Sequence, residues 1–291
     1  MIPPAFEYCA PTSVGEAIGL LKQHGSEAKI LSGGMSLIPL LKLRLAGPRF
    51  LVDINRLPGL NYIKEGDGFL KIGALTREAD LERSELVRSK YPILADTASV
   101  IGDPLVRNMA TVAGNLAHGD PANDHPATML ALEAQIVATG PNGERKIQIT
   151  DFFASLFTTV LNSDELLTEI RIPIPPPGSG GAYIKLERKV GDFATAAVAA
   201  QLTIAKGEVC ERVGIGLTNA GPKPVKAKKA EDVLRGKRID EETIRQAAQL
   251  ASEESDPKSD LRGPAEYKRD LVRVLTARAL RRALERARGG K

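Results

Sequence analysis

The chain has 291 residues, 43% of them hydrophobic, enough for one large core or two modest ones. A charged fraction of 26% excludes disordered, collagenous and coiled-coil classes, and no apolar run approaches the ~18 residues of a membrane helix. The net charge of +4 is uneven: from Tyr267 to Lys291 nine basic residues face two acids, a net of +7, while the rest has 31 basic and 34 acidic residues, a net of −3.

In chain order, Ser13 with Glu16 three residues on forms a capping box, and Ala17, Ile18, Leu20 and Leu21 give the apolar face of a helix that Gly25 ends. Lys29-Ile30-Leu31 is a short strand running into the turn Ser32-Gly33-Gly34-Met35-Ser36. Leu37 to Leu43 is helical with Pro39 near its first turn, and Phe50 to Ile54 is the next strand, completing an αββ-like unit over residues 1–58. A second α/β unit, 59–176, has strands at Phe69–Ile72, Ala134–Thr139, Arg145–Thr150 and Leu166–Ile172. Its helices are expected near Arg77–Glu82, Tyr91–Ile101 and Ala122–Ala131. The stretch Pro173 to Gly181, prolines followed by glycines, carries the composition of a linker and sets the domain boundary. Beyond it, over 182–288, lie strands at Tyr183–Val190, Ala196–Ala205 and Val209–Leu217, the last two a hairpin about Lys206-Gly207-Glu208, then helices near 227–235, 240–254 and 264–288. The whole is mixed α/β followed by an α+β domain of a three-stranded antiparallel sheet plus helices.

Two glycine-rich turns stand out. Ser32–Ser36 sits between a strand and a helix start, where glycines bring backbone N–H groups close to a ligand such as a diphosphate; a plain strand–helix turn is the other reading. Thr111-Val112-Ala113-Gly114-Asn115 opens a polar loop, Leu116 to Pro126, with His118, Asp120, Asp124 and His125. Those side chains suit a metal or, better, hydrogen bonds to a ribose, adenine or phosphate, because no helical ligand pair supports a metal. Gly214-Ile215-Gly216 with Gly221 does not match the dinucleotide fingerprint, and no P-loop, nucleophile elbow or Cys–His motif exists. Cys9 and Cys210 exclude a disulfide framework, a four-cysteine zinc site and a self-contained iron–sulfur cluster, and read as buried thiols of a cytoplasmic protein. Met1 to Ala5 has no basic head and apolar stretch, so no secretory leader is expected. The basic final helix reads as docked on its own domain, as a contact for a partner subunit, or as a nucleic-acid surface, with docking the default. Absent Trp weighs against nucleic acid.

Together, Lys29 to Pro39, Thr111 to Asn115, Lys185 to Ala194 (K-x-x-R-x-x-G-D-x-A) and Glu266 through Leu280 resemble the FAD-binding medium subunit of molybdenum hydroxylases, the family of carbon monoxide dehydrogenase, xanthine dehydrogenase and aldehyde oxidoreductase flavoproteins. The resemblance covers nearly the whole chain. It implies a vanillyl-alcohol-oxidase-type FAD-binding domain of two α/β subdomains and a C-terminal α+β domain, with FAD held non-covalently between them. It implies a cofactor site of Lys29, Ile30, Ser32, Gly33, Gly34, Met35, Ser36, Leu37, Thr111, Val112, Ala113, Gly114 and Asn115. Asp124 would reach the adenosine half, Ile101 would cover the isoalloxazine, and Lys185 and Phe193 would lie near the flavin. Met35 stands where the family commonly has Gln or His, and Phe193 where it often has Tyr; both should keep FAD binding while shifting flavin potential or acceptor access. Ala113, for the commoner Gly, is tolerable if its φ stays negative. The implied role is electron transfer in a heterotrimer, a dimer of heterotrimers by family habit. Molybdopterin sits in a large partner, 2Fe–2S clusters in a small one, and an external acceptor takes the electrons. A stand-alone FAD-dependent oxidoreductase and a non-catalytic scaffold that has lost flavin are the alternatives.

Overall fold

A computed structural model describes residues 1–290. The first unit is β1 (Glu7–Cys9), α1 (Val14–His24), β2 (Ala28–Leu31), α2 (Leu37–Lys42) and β3 (Phe50–Asp53). Its parallel sheet has the order β1-β3-β2, so the expected αββ unit is a βαβαβ one. The added strand, Glu7-Tyr8-Cys9, is too short and polar to show by periodicity. Ser13 Oγ accepts the Glu16 N–H and caps α1, whose Ala17 and Leu21 face the core beneath Phe50, Val52 and Ile54.

The second unit opens with β4 (Ile63–Gly66) and β5 (Phe69–Gly73). Six short helices follow: α3 (Glu78–Arg83), α4 (Glu85–Lys90), α5 (Pro92–Ser99), α6 (Pro104–Met109), α7 (Val112–Ala117) and α8 (His125–Ala131). It closes with β6 (Gln135–Gly140), β7 (Gly143–Gln148), α9 (Ile149–Phe152), the small ribbon β8 (Phe153–Ser155) and β9 (Thr158–Thr159), and β10 (Leu166–Pro173). Its antiparallel sheet runs β4-β5-β10-β6-β7. The loop expected from Leu116 is shorter than its composition suggests, because α7 runs to Ala117 and α8 starts at His125.

The third unit is β11 (Ser179–Leu186), β12 (Ala196–Ile204), β13 (Cys210–Thr218), β14 (Val225–Lys226), α10 (Lys228–Leu234), α11 (Glu241–Glu254) and α12 (Ala265–Ala287). The sheet has four antiparallel strands, not three, since the two-residue β14 pairs with Gly216 and Leu217 of β13. The expected linker is also corrected. Pro173 ends β10, and Gly180 and Gly181 lie inside β11. A Cβ at Gly180 would stand 2.8 Å from the Arg286 carbonyl carbon of α12, and one at Gly181 3.1 Å from Ile93 Cβ of α5. These glycines serve close packing on the two faces of one strand, not flexibility.

Strand β12 faces two cores. Ala197 and Ala199 join the α5–α8 core with Tyr91, Leu94, Met129 and Tyr183, while Ala196, Val198, Ala200 and Leu202 join the core under α11 and α12. Gly214 and Gly216 of β13 also have a packing role. A Cβ on either would stand 2.7–2.8 Å from a carbonyl carbon of α8, at Ala131 or Ala127. The basic final helix is docked and largely neutralised. Val272, Leu275, Ala279, Leu280 and Ala283 are buried, and Arg269, Arg273, Arg281, Arg282, Arg286 and Arg288 each reach an acid of this chain. Among the described residues no helix is long and apolar enough to cross a membrane.

Candidate functional site

The two glycine turns, 79 residues apart, meet. Ser32 Oγ and Thr111 Oγ1 are 2.9 Å apart, and Gly33 lies so close to the second turn that a Cβ there would stand 2.7 Å from Ala110 Cα. Gly34 has φ +75° and packs under Ile38. The first turn is pinned from behind. Asn55 Nδ2 donates to Ser32 O at 2.8 Å, Arg77 Nη2 donates to Asn55 Oδ1 at 2.6 Å, and Arg77 Nη1 reaches Met109 O. Asp53 holds Asn55 and accepts the Tyr8 hydroxyl at 2.6 Å. Burial works against its ionisation, but these hydrogen bonds outweigh it and keep the carboxyl low. Sequence reasoning missed Asn55 and Arg77; the nearest signal was the position of Asn55 directly after a strand end.

Thr111 caps α7 by accepting the Gly114 N–H at 3.2 Å, and Ala113 lies within that helix at negative φ, so its methyl is accommodated. Asn123 Nδ2 donates to Asn115 O at 2.7 Å. Contacts then lead on from Asp124 to Lys185 and Tyr183, from Lys185 to Val100 beside Ile101, and from Gly102 to Gly191 in the loop that carries Phe193. Phe193 is half-exposed beneath the Arg262 guanidinium, 5.5 Å from its ring centroid. Ile30, Met35, Ser36 and Leu37 line the first turn half-buried, and Val112 is buried. Lys29 is exposed on β2 and hydrogen-bonds to none of the others.

Asp124 is 5% exposed, and both its oxygens are engaged, Oδ1 by the Tyr183 hydroxyl at 2.5 Å and Oδ2 by Lys185 Nζ at 3.0 Å. Burial pushes its carboxyl up against the pull of Lys185. His125 is fully buried, with Nε2 2.6 Å from Glu78 Oε2, and His118 lies against Phe157, where burial lowers its pKa. Neither histidine joins a cluster of metal-ligating groups among the described residues.

The fit to a dinucleotide rests on the backbone. No acceptor among the described residues takes the N–H groups of Gly33, Gly34, Met35, Ser36 and Ala113, and the buried Asn115 Oδ1 has no partner. Such a nest of free donors neutralises a diphosphate without lysine or arginine, which neither turn supplies.

Comparison with known proteins agrees with this geometry. The family described as the FAD binding domain in molybdopterin dehydrogenase matches residues 4–175, and the CO dehydrogenase flavoprotein C-terminal domain matches 181–283. The carbon monoxide dehydrogenase medium chain of Hydrogenophaga pseudoflava is 45% identical over 98% of this chain and 99% of that one. The glyceraldehyde dehydrogenase medium chain of Sulfolobus acidocaldarius is 38% identical over 97% of this chain and 99% of its own. A structure of the H. pseudoflava carbon monoxide dehydrogenase lacking the Mo-pyranopterin moiety superposes with a TM-score of 0.96 at 46% identity, covering 98% of this chain and 99% of the matched chain. Quinoline 2-oxidoreductase from Pseudomonas putida 86 gives a TM-score of 0.91 at 34% identity, covering 99% of both chains.

Proposed function

This chain belongs to the family of FAD-binding medium subunits of carbon monoxide dehydrogenase-type molybdenum hydroxylases, and on that premise we propose that it carries electrons from 2Fe–2S clusters of a small partner subunit through FAD to an external acceptor. The substrate is hydroxylated at molybdopterin in a large partner, and the assembly is a cytoplasmic dimer of heterotrimers. The observation that carries this reading is the meeting of the two glycine turns with their backbone donors free. Two separated cysteines cannot hold a cluster, so that chemistry falls to another chain.

The proposed division is two FAD-binding subdomains, 1–58 and 59–176, and a C-terminal domain, 182–288. Bound FAD supplies the redox relay; the protein orients and tunes it. The N–H groups of Gly33 to Ser36 and Ala113 hold the diphosphate, with Ser32, Thr111, Gly114 and Asn115 around them. Ile101 and Phe193 flank the flavin end of the cleft. Asp124 and Lys185, which satisfy each other, shape the wall between the second and third units instead of each offering a free charge.

The test is to purify the assembled complex through a tag on this chain, release its flavin by heat, and run it against FAD and FMN standards beside molybdenum and iron analysis. One FAD per copy of this chain, with both metals in the partners, supports the reading. A complex containing the metals but no FAD would sink it.

A further inference from the structure

Val100, Ile101 and Gly102 form the turn between α5 and α6, and the carbonyls of all three are held by two cations from outside the turn. Lys185 on β11 donates to Val100 O at 2.9 Å. Arg107 on α6 donates through Nη1 to Ile101 O at 3.1 Å and, at 3.4 Å, to Gly102 O. Each cation is fixed in turn by acids. Arg107 Nε meets Glu82 Oε2 at 2.8 Å, and Lys185 Nζ meets Asp124 Oδ2 at 3.0 Å and lies 3.3 Å from Glu187 Oε2, an ion-pair distance without hydrogen-bond alignment. The Lys185 side chain is 2% exposed and that of Arg107 12%.

An ammonium has three N–H donors. Two of those of Lys185 go to Val100 O and Asp124 Oδ2, and Glu187 adds its charge nearby, so Lys185 is committed to the turn and its acids. Short turns ordinarily leave their carbonyls to water, so three consecutive carbonyls tied to two guarded cations make this turn unusually determined. Gly102 at φ +52° completes it, and the Gly191 backbone closes over its carbonyl.

We propose that Arg107 and Lys185 are positioning residues of the flavin site. They hold the 100–102 turn, and through it the buried Ile101, at a fixed place against the isoalloxazine end of the cleft. The inference rests on the reading of Ile101 given under the proposed function.

The test uses the assembled complex with Arg107→Met and Arg107→Lys, the latter keeping a cation for Glu82 but losing the fork over two carbonyls. Arg83→Met, at an exposed residue of α3 with no ion pair among the described residues, is the control. Two readouts are taken, amide hydrogen exchange of the 98–104 segment and the visible circular dichroism of the bound flavin. The expected result is exchange faster by about tenfold or more in Arg107→Met, an intermediate rate in Arg107→Lys, and altered flavin bands at unchanged FAD content in both. Wild-type exchange in Arg107→Met overturns the staple. Faster exchange with unaltered flavin bands overturns its link to the flavin. A wild-type complex without FAD overturns that link too by removing the reading beneath it, while the exchange data still decide the staple.

Discussion

Gly33→Ala offers the sharpest test of how the two glycine turns are built. A Cβ there would press on Met109 O and stand 2.7 Å from Ala110 Cα, whereas ordinary contact begins near 3.4 Å, so the turns must part by at least about 0.7 Å. Forcing one methyl group into such a contact costs about 1–3 kcal/mol. If the FAD-competent arrangement bears that cost, affinity falls about 5- to 150-fold, since about 1.4 kcal/mol is a factor of ten. The assay is fluorescence titration of FAD into the deflavinated complex, with thermal unfolding alongside. The control is Gly19→Ala, in mid-helix α1 with nothing near its Cβ, which should stabilise by about 0.5–1 kcal/mol and leave FAD binding alone. A Gly33→Ala protein with wild-type affinity and wild-type melting would refute the close approach of the two turns.

Three further outcomes follow from buried charge and thiol chemistry. Lys185→Met leaves the Asp124 carboxyl buried without its cation and should cost about 3–5 kcal/mol in urea unfolding, part of which Lys185→Met with Asp124→Asn restores; a double variant no more stable than the single one contradicts this. The Asp192 carboxyl is drawn down to about 2 by Arg262 first and Arg188 next. A depressed acid adds stability above its unfolded pKa of about 4, and that increment is lost as pH falls from there toward 2. The stability gap between wild type and Asp192→Asn should therefore hold from pH 7 to 5 and shrink below about 4; a gap constant down to pH 3 counts against the clamp. Burial pushes the Cys210 thiol up to about 11, so a thiol reagent at neutral pH should modify at most Cys9 rapidly and reach Cys210 only on unfolding.

Much of the architecture is legible without coordinates because its signals are local. Helices α11 and α12 follow from capping and apolar spacing, with Asp240 accepting the Thr243 N–H, and the β12–β13 hairpin follows from a turn at Gly207. Of the site, the glycine turns are legible for the same reason. What holds them in place is not. Asn55, Arg77 and Arg107 act on residues 5 to 32 positions away, and nothing about an isolated Asn or Arg announces such a partner. The linker-like Pro173–Gly181 stretch shows a further limit. Composition does not separate a glycine chosen for freedom from one chosen because a helix backbone presses on it, and Gly180 and Gly181 are of the second kind.

The two-faced strand β12 has a consequence for how this chain can vary. Its side chains alternate between two interiors, so inserting or deleting one residue would exchange every occupant at once. Val198 would be driven into space now filled by Ala197 or Ala199 and Leu202 into that of Gln201 or Thr203, while alanines would hollow out the opposite interior. Overpacking and cavity formation would strike together, on both sides of a single strand. Length changes are thus barred from β12 while substitutions of matched size remain open, and the two interiors, sharing one ribbon of backbone, should melt in a single cooperative step.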